Sequence, residues 1–524
     1  MKPLLAENTH RKLYIYFLLL LAFGVSLGKF IMSIAVISLT LNWLFEGGFK
    51  QKLKKNKELK YAPIILSGAF IIQVLWLFQT QIFSDGVNDL RIKLPLLFLP
   101  IIIGTSPSLS NLELKKVTFS FILGLLISSI IVFCADLGFI TPKKTTGTFR
   151  DISLFMSHIR YSSLVAFGVV VLLFIVNKTK YKIHSIFLFL WFLFVLYILQ
   201  SITGIICLLV AVCLYISIKT YKEGFMKNTL SILILILPII SLIIYSSTIL
   251  SEYKNIKDKN ELLNLSILTP LGEKYIHDKS SLETENGYLL WINIAPKEAE
   301  KTWNERSKKA FSGKDNKNQP LKYTLYRYLT SKGLKKDREG VLALSNADIK
   351  NIEEGTATSV KYNLFEKRLR SVLFELNNYK NLKTSNNHSV TQRITFLQIA
   401  KQLIKENFFF GKGTGGTKQA YKKYYANEKK GLSSKNQLRA HNQFITDLIN
   451  LGLFGFLFCL ASLIYPIIKT KNRINLLYAP FLIIIIINFL ADDMLERQAG
   501  VTIFAAINSF LLFGVKNKYY SSEP

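Results

Sequence analysis

The sequence predicts an all-α, polytopic membrane protein with about twelve transmembrane helices and one large, mainly helical loop domain on the outer face. Three observations carry this expectation. Half of the 524 residues are hydrophobic and the mean hydropathy is +0.29, which fits a polytopic membrane chain better than a soluble one. Apolar runs of about 17–25 residues, the length that crosses a bilayer, recur along the chain. Lysine and arginine also alternate between successive loops in a way that selects one orientation.

The apolar runs lie near 13–28, 30–46, 61–82, 93–106, 117–137, 160–177, 184–199, 201–218, 229–248, 443–468, 475–490 and 499–515. The fourth is short and holds Pro95 and Pro100. The first is followed at once by the second, without a small-residue cleavage site, and reads as an anchor. Lys50, Lys52, Lys54, Lys55, Lys57 and Lys60 share one loop. Lys178, Lys180 and Lys182 share another, Lys219, Lys222 and Lys227 a third, and Lys469, Lys471 and Arg473 a fourth. With twelve spans all four fall on the side of both termini, which is then cytoplasmic. The intervening loops are poorer in cations, and 84–92 carries Asp85 and Asp89. The chain thus divides into an N-terminal membrane domain of about nine helices (1–248), an outer loop domain (249–442) and about three C-terminal helices (443–524).

Within the outer loop the pattern is helical. Pro296 suits the first turn of a helix running to Phe311, and Leu321–Ser331 stops before Gly333. Ser345 or Asn346 caps Ala347–Glu354, which ends at Gly355. Phe365, Leu369, Val372, Leu373, Leu376 and Tyr379 form one apolar stripe in Lys361–Lys380, a packing pattern. Cys134, Cys207, Cys213 and Cys459 all lie in or beside apolar runs, so no disulfide staples the loop. Much of the formal charge of +32 is the cytoplasmic lysine set, whose ordinary partners are anionic headgroups. The loop is basic as well. With no nucleic-acid motif present, a lipid-linked phosphate, pyrophosphate or acidic glycan suits it better.

The chemistry concentrates between His388 and Asn442. Gly411, Gly413 and Gly416 match G-x-G-x-x-G formally, but an amphipathic helix precedes them where the dinucleotide fingerprint needs a strand. They end the helix 392–407 or bring backbone close to a ligand. A Walker lysine pattern, a zinc-type histidine pair and a G-x-S-x-G elbow are all missing, and no Asp, Glu, His or Cys cluster has ligand spacing on the outer face. Of the six histidines, His10 and His184 are cytoplasmic by topology and His277 has no organised neighbours. His158 lies beside Arg160 at the outer end of a span, His388 precedes Arg393, and His441 directly precedes a span. Imidazole acts as a base near neutral pH, and guanidinium holds phosphate by paired hydrogen bonds. The residues alone support an outer-face site with Arg and His.

Four segments in order, Arg393–Ala400 (RITFLQIA), Gly411–Gly416 (GKGTGG), Ala440–Phe444 (AHNQF) and Leu451–Phe456 (LGLFGF), resemble the signature region of the bacterial O-antigen ligase and O-antigen polymerase family. Asn286–Asn293, Tyr326–Gly333 and Ala491–Gly500 are similar to members from Bacteroidetes-type bacteria. The resemblance implies a glycosyltransferase of the inner membrane, active on its periplasmic face in lipopolysaccharide biosynthesis of the cell envelope. It implies a glycan donor on polyprenyl (undecaprenyl) pyrophosphate and an acceptor hydroxyl, foremost on lipid A–core. It also implies an inverting reaction with neither metal nor cofactor. By motif match His441 deprotonates or orients the acceptor and Arg393 holds the leaving group, while Asn442, Gly411, Gly413 and Lys412 are substrate-binding. Many members carry S-R-x-G at the outer start of a span, whereas this chain has Ser201-Ile202-Thr203-Gly204, so the arginine is missing and Arg160 is the candidate to replace it. Polymerisation and protein O-oligosaccharyl transfer stay open within the class. A lipid or polysaccharide transporter is the alternative outside it, although such a protein carries polar or broken helices at mid-membrane.

Overall fold

The computed structural model describes residues 4–141, 152–176, 182–221, 225–257, 264–281, 283–382, 389–427, 432–470 and 476–515. His388, Lys178, Lys180, Lys222, Lys471 and Arg473, used above, lie outside the described residues. The chain is mainly helical and forms two compact units, one of Met1–Ile236 with Gln392–Pro524 and one of Leu237–Thr391.

The first unit contains α1 (Glu7–Gly24), α2 (Lys29–Glu46), α3 (Phe49–Glu58), α4 (Ala62–Leu75), α5 (Phe83–Thr105), α6 (Asn111–Asp136), α7 (His158–Val176), α8 (Lys182–Leu199) and α9 (Ile202–Thr220). Helix α10 (Phe225–Lys254) follows. Each expected apolar run contains a helix among the described residues. Among the described residues, seven helical segments are long and apolar enough to cross a membrane, and Tyr478–Ala491 and Gln498–Gly514 are shorter apolar helices. The chain is therefore a multi-pass membrane protein. The expected run at 93–106 begins at Lys93 and is the C-terminal part of α5, whose N-terminal turns carry Asp85, Asp89 and Arg91 and lower its mean hydropathy. The lysine-rich loop after α2 is itself helical. There Lys52 pairs with Glu46 at 2.8 Å and lies 4.5 Å above the Trp43 ring, so its stem is packed and its charge compensated.

The second unit holds a short hairpin, β1 (Thr284–Glu285) and β2 (Tyr288–Leu289), then α11 (Pro296–Arg306), α12 (Leu321–Ser331), α13 (Arg338–Leu342), α14 (Asn346–Glu353) and α15 (Leu364–Leu382). Trp303, Leu321, Leu325, Leu329, Val341 and Ile352 form its core. Helix α11 stops five residues earlier than the sequence predicts because the Trp303 indole donates to the Lys309 carbonyl and folds the chain back. Ser345 caps α14 in a reciprocal capping box with Asp348.

The C-terminal part of the first unit is built from α16 (Ser389–Glu406), α17 (Gly416–Asn427), α18 (Gln443–Lys469), α19 (Tyr478–Ala491) and α20 (Gln498–Ser509). Helix α18 breaks at Gly452, which has φ 62° and ψ −173°. The glycine-rich turn fills this break: Lys412 N donates to Ile449 O and Gly413 N to Asn450 O, both at 2.8 Å. From the other side the Trp76 indole donates to Phe410 O at 2.8 Å and the Thr80 hydroxyl to Thr414 O at 2.9 Å. Gly413 has φ +85°, and a β-carbon there would lie 2.4 Å from Thr80 N. Gly413→Val should therefore cost at least about 1–3 kcal/mol from backbone strain alone. A thermal-unfolding series in detergent checks this, and an unchanged midpoint would contradict it.

Candidate functional site

Two loops meet at the ends of the C-terminal helices. Asn442 caps α18 by accepting from Ile445 N at 3.1 Å, and its Nδ2 donates to Leu490 O at 3.2 Å. Gln443, fully buried, accepts from Leu495 N at 2.7 Å and donates to Asp447 at 3.0 Å. The loop entering α18 is thereby fixed to the Ala491–Arg497 segment between α19 and α20. That segment turns sharply because Asp492 is extended and Met494–Glu496 form a single 3-10 turn before α20.

This junction gathers opposite charges. Arg160, at the start of α7, places Nε 2.7 Å from Asp492 Oδ2, and the two side chains are only 8% and 7% exposed. Arg439 reaches Asp493 at 2.8 Å and Glu496 at 3.1 Å. Glu496 also contacts Lys93 at 2.9 Å, and Lys93 pairs with Asp89 at 2.7 Å. The other Asp492 oxygen faces His441, whose Nδ1 is 3.8 Å from it and 3.6 Å from Asp493 Oδ1. Phe396 of α16 lies against the imidazole, with ring centroids 6.1 Å apart. His441 has φ +51°, a left-handed conformation that directs the ring into this corner, and its side chain stays 32% exposed.

The electrostatics follow from this arrangement. Burial works against the His441 cation, but the Asp492 and Asp493 carboxylates outweigh it and raise its pKa above the ordinary imidazole value. Burial works against the Asp492 anion, yet His441 and Arg160 hold its carboxyl below the usual range. Burial likewise opposes ionised Glu496, and Lys93 and Arg439 overcome it. With Nδ1 turned to the carboxylates, Nε2 is the ring nitrogen left to meet a substrate proton.

Among the residues singled out in the sequence, Arg160 and His441 meet through Asp492. Arg393 is exposed and its Nη2 donates to Ala491 O, one residue before that aspartate, at 3.2 Å. Asn442 holds backbone. Gly411 and Gly413 press against the backbones of Asn450–Gly452 and Gln79–Thr80, so the close approach that they make is to the chain itself. Lys412 pairs with Glu406 at 2.6 Å. Arg439, Asp492, Asp493 and Glu496 were missed as site residues, although three carboxylates within five positions between apolar runs were a usable signal. The expectation that no Asp, Glu, His or Cys cluster of ligand type forms is corrected: one donor atom each from His441, Asp492 and Asp493 lie within 4.8 Å of one another. The cluster escapes a reading by spacing because it joins residues far apart in sequence. Both carboxylates already have guanidinium partners, so the group is charge-compensated without an added cation.

Comparison with known proteins matches residues 355–460 to the family model described as O-antigen ligase. No curated protein matches the chain.

Proposed function

We infer from residues 355–460, which assign the chain to the O-antigen ligase family, that it is a membrane glycosyltransferase that ligates a glycan from polyprenyl pyrophosphate to a hydroxyl of lipid A–core. It works at the periplasmic face of the inner membrane. The observation that carries this reading is the His441 imidazole held against Asp492 and Asp493, with Arg160 of α7, Arg393 of α16 and Arg439 of the loop before α18 all bound to the Ala491–Asp493 stretch. The acceptor hydroxyl gives its proton to His441 Nε2 as its oxygen attacks the anomeric carbon. The bond from that carbon to the pyrophosphate oxygen breaks, and the leaving group takes the electron pair. In-line attack inverts the anomeric carbon. Arg393 offers an exposed guanidinium to the departing charge, and such preorganised cations need no reorganisation during the step. Arg160 fixes Asp492 and so orients the imidazole. It stands two positions before Ser162, whose hydroxyl donates to Ser201 at 2.8 Å, and so starts beside the motif that lacks an arginine at Ile202.

Deletion of the gene tests the reading. Ligation predicts loss of all long chains from the lipid core on a surface-glycan gel, whereas a single capped repeat unit would mean polymerisation.

Two expectations follow from the electrostatics. The base must be neutral to accept a proton, and its raised pKa puts the acid limb of kcat/KM above the ordinary imidazole value of about 6.5. Asp493→Asn removes one of the charges that raise it, so the limb should move to lower pH. A limb that stays in place would separate His441 from the titration. Because guanidiniums neutralise both carboxylates, transfer should survive chelator. Inactivation by EDTA with recovery on Mg²⁺ or Mn²⁺ would assign the His441–Asp492–Asp493 cluster to a metal instead.

A further inference from the structure

Apart from the charged junction, the first unit contains a polar cavity of about 270 Å³ between α16, the glycine-rich turn and α17. At about 30 Å³ per liquid water, that is room for on the order of nine waters. Gln81, Glu406, Lys412, Gln419, Lys423 and Tyr424 are among its lining residues. We propose that this cavity is a sugar-binding subsite, which holds one ring of the glycan at a distance from the reacting bond. The ligand class rests on the glycosyltransferase reading above, while the cavity and its chemistry do not.

The lining chemistry favours a sugar. Two amides, a carboxylate and two ammoniums supply donors and acceptors side by side, which is what a ring of hydroxyls requires. One of the two lining cations is already committed, since Lys412 pairs with Glu406 at 2.6 Å, so the wall suits a polar, weakly charged ligand better than a bare phosphate. Tyr424, with its hydroxyl bonded to Gln402, presents a fixed aromatic wall. The walls are preorganised: the Tyr421 hydroxyl donates to Phe396 O at 2.8 Å, and Thr417 N donates to Asn450 Oδ1 at 2.9 Å.

Its position sets which ring it takes. Phe396 touches the His441 ring, and Leu403 and Glu406 of the same helix line the cavity. At 1.5 Å per residue those seven to ten positions span about 10–15 Å. The subsite therefore engages the glycan a few sugars away from the bond being made. The glycan is that of the lipid-linked donor or that of the acceptor core, which offer the same chemistry.

The test uses the full-length protein in nanodiscs with two variants, Gln419→Ala/Lys423→Ala, which removes polar groups, and Ala420→Trp, which fills the cavity. The donors are the polyprenyl-linked glycan accumulated by cells lacking this gene and a polyprenyl pyrophosphate carrying one sugar. Both variants should raise KM for the long donor about 10-fold, the equivalent of one or two hydrogen bonds, and leave the one-sugar donor unchanged. If KM rises for the core acceptor instead, the subsite belongs to the acceptor glycan. Equal losses on every substrate, or none on any, would overturn the proposal. Should the wild type release polyprenyl pyrophosphate from neither donor, the transferase reading fails, and calorimetry with glycans freed from the donor and from the core decides the subsite separately. Binding to the wild type but not to Ala420→Trp sustains it, and no binding of either glycan to the wild type overturns it.

Discussion

His441→Asn should slow glycan transfer by roughly 10²–10⁴-fold while leaving the protein folded and inserted, the range by which a positioned general base accelerates a reaction. Asparagine is the informative replacement because His441 sits at φ +51°, where asparagine is tolerated and alanine is strained. Loss of the imidazole removes the proposed proton acceptor, whose Nδ1 side faces Asp492 and Asp493. The residual rate reports what charge stabilisation and positioning achieve alone. The assay is release of polyprenyl pyrophosphate by purified variants, with thermal stability as control. Near-normal turnover would remove His441 from the chemistry.

Arg160→Ala should both destabilise the protein and impair transfer. The Arg160–Asp492 pair is almost fully buried, and removing one partner of such a pair costs about 3–5 kcal/mol because the remaining charge is left uncompensated. Asp492 would also lose the contact that fixes it beneath His441. The double replacement Arg160→Met/Asp492→Leu separates the two effects. A buried pair exchanged for well-packed apolar side chains is often neutral in stability, so the double variant should regain most of the lost midpoint without regaining transfer. Full activity in Arg160→Ala would leave the missing arginine at Ile202 without a substitute.

Much of the fold was legible because a bilayer-length apolar run admits little besides a helix, and each such run here is helical. The charged turns of α5 and the helical lysine loop were less legible, since amphipathic polar segments gain their structure from neighbours such as Trp43 and Glu46. Arg160, Arg393 and His441 stood out as cations and a titratable ring at membrane boundaries. Their partners did not, because Asp492, Asp493 and Glu496 reach His441 and Arg439 only when the loops before α18 and α20 fold together. The glycines read as a helix end or as backbone brought close to a ligand, whereas the close approach that Gly411 and Gly413 make here is to the Asn450–Gly452 and Gln79–Thr80 backbones, a pairing distant in sequence.

The most direct measurement is simultaneous quantitation of glycan transferred and polyprenyl pyrophosphate released by the purified protein, given its lipid-linked glycan with and without lipid A–core. Release should depend on acceptor, match transfer one to one and collapse in His441→Asn. Movement of the intact lipid-linked glycan without any release of polyprenyl pyrophosphate would rule out a transferase and identify a transporter instead.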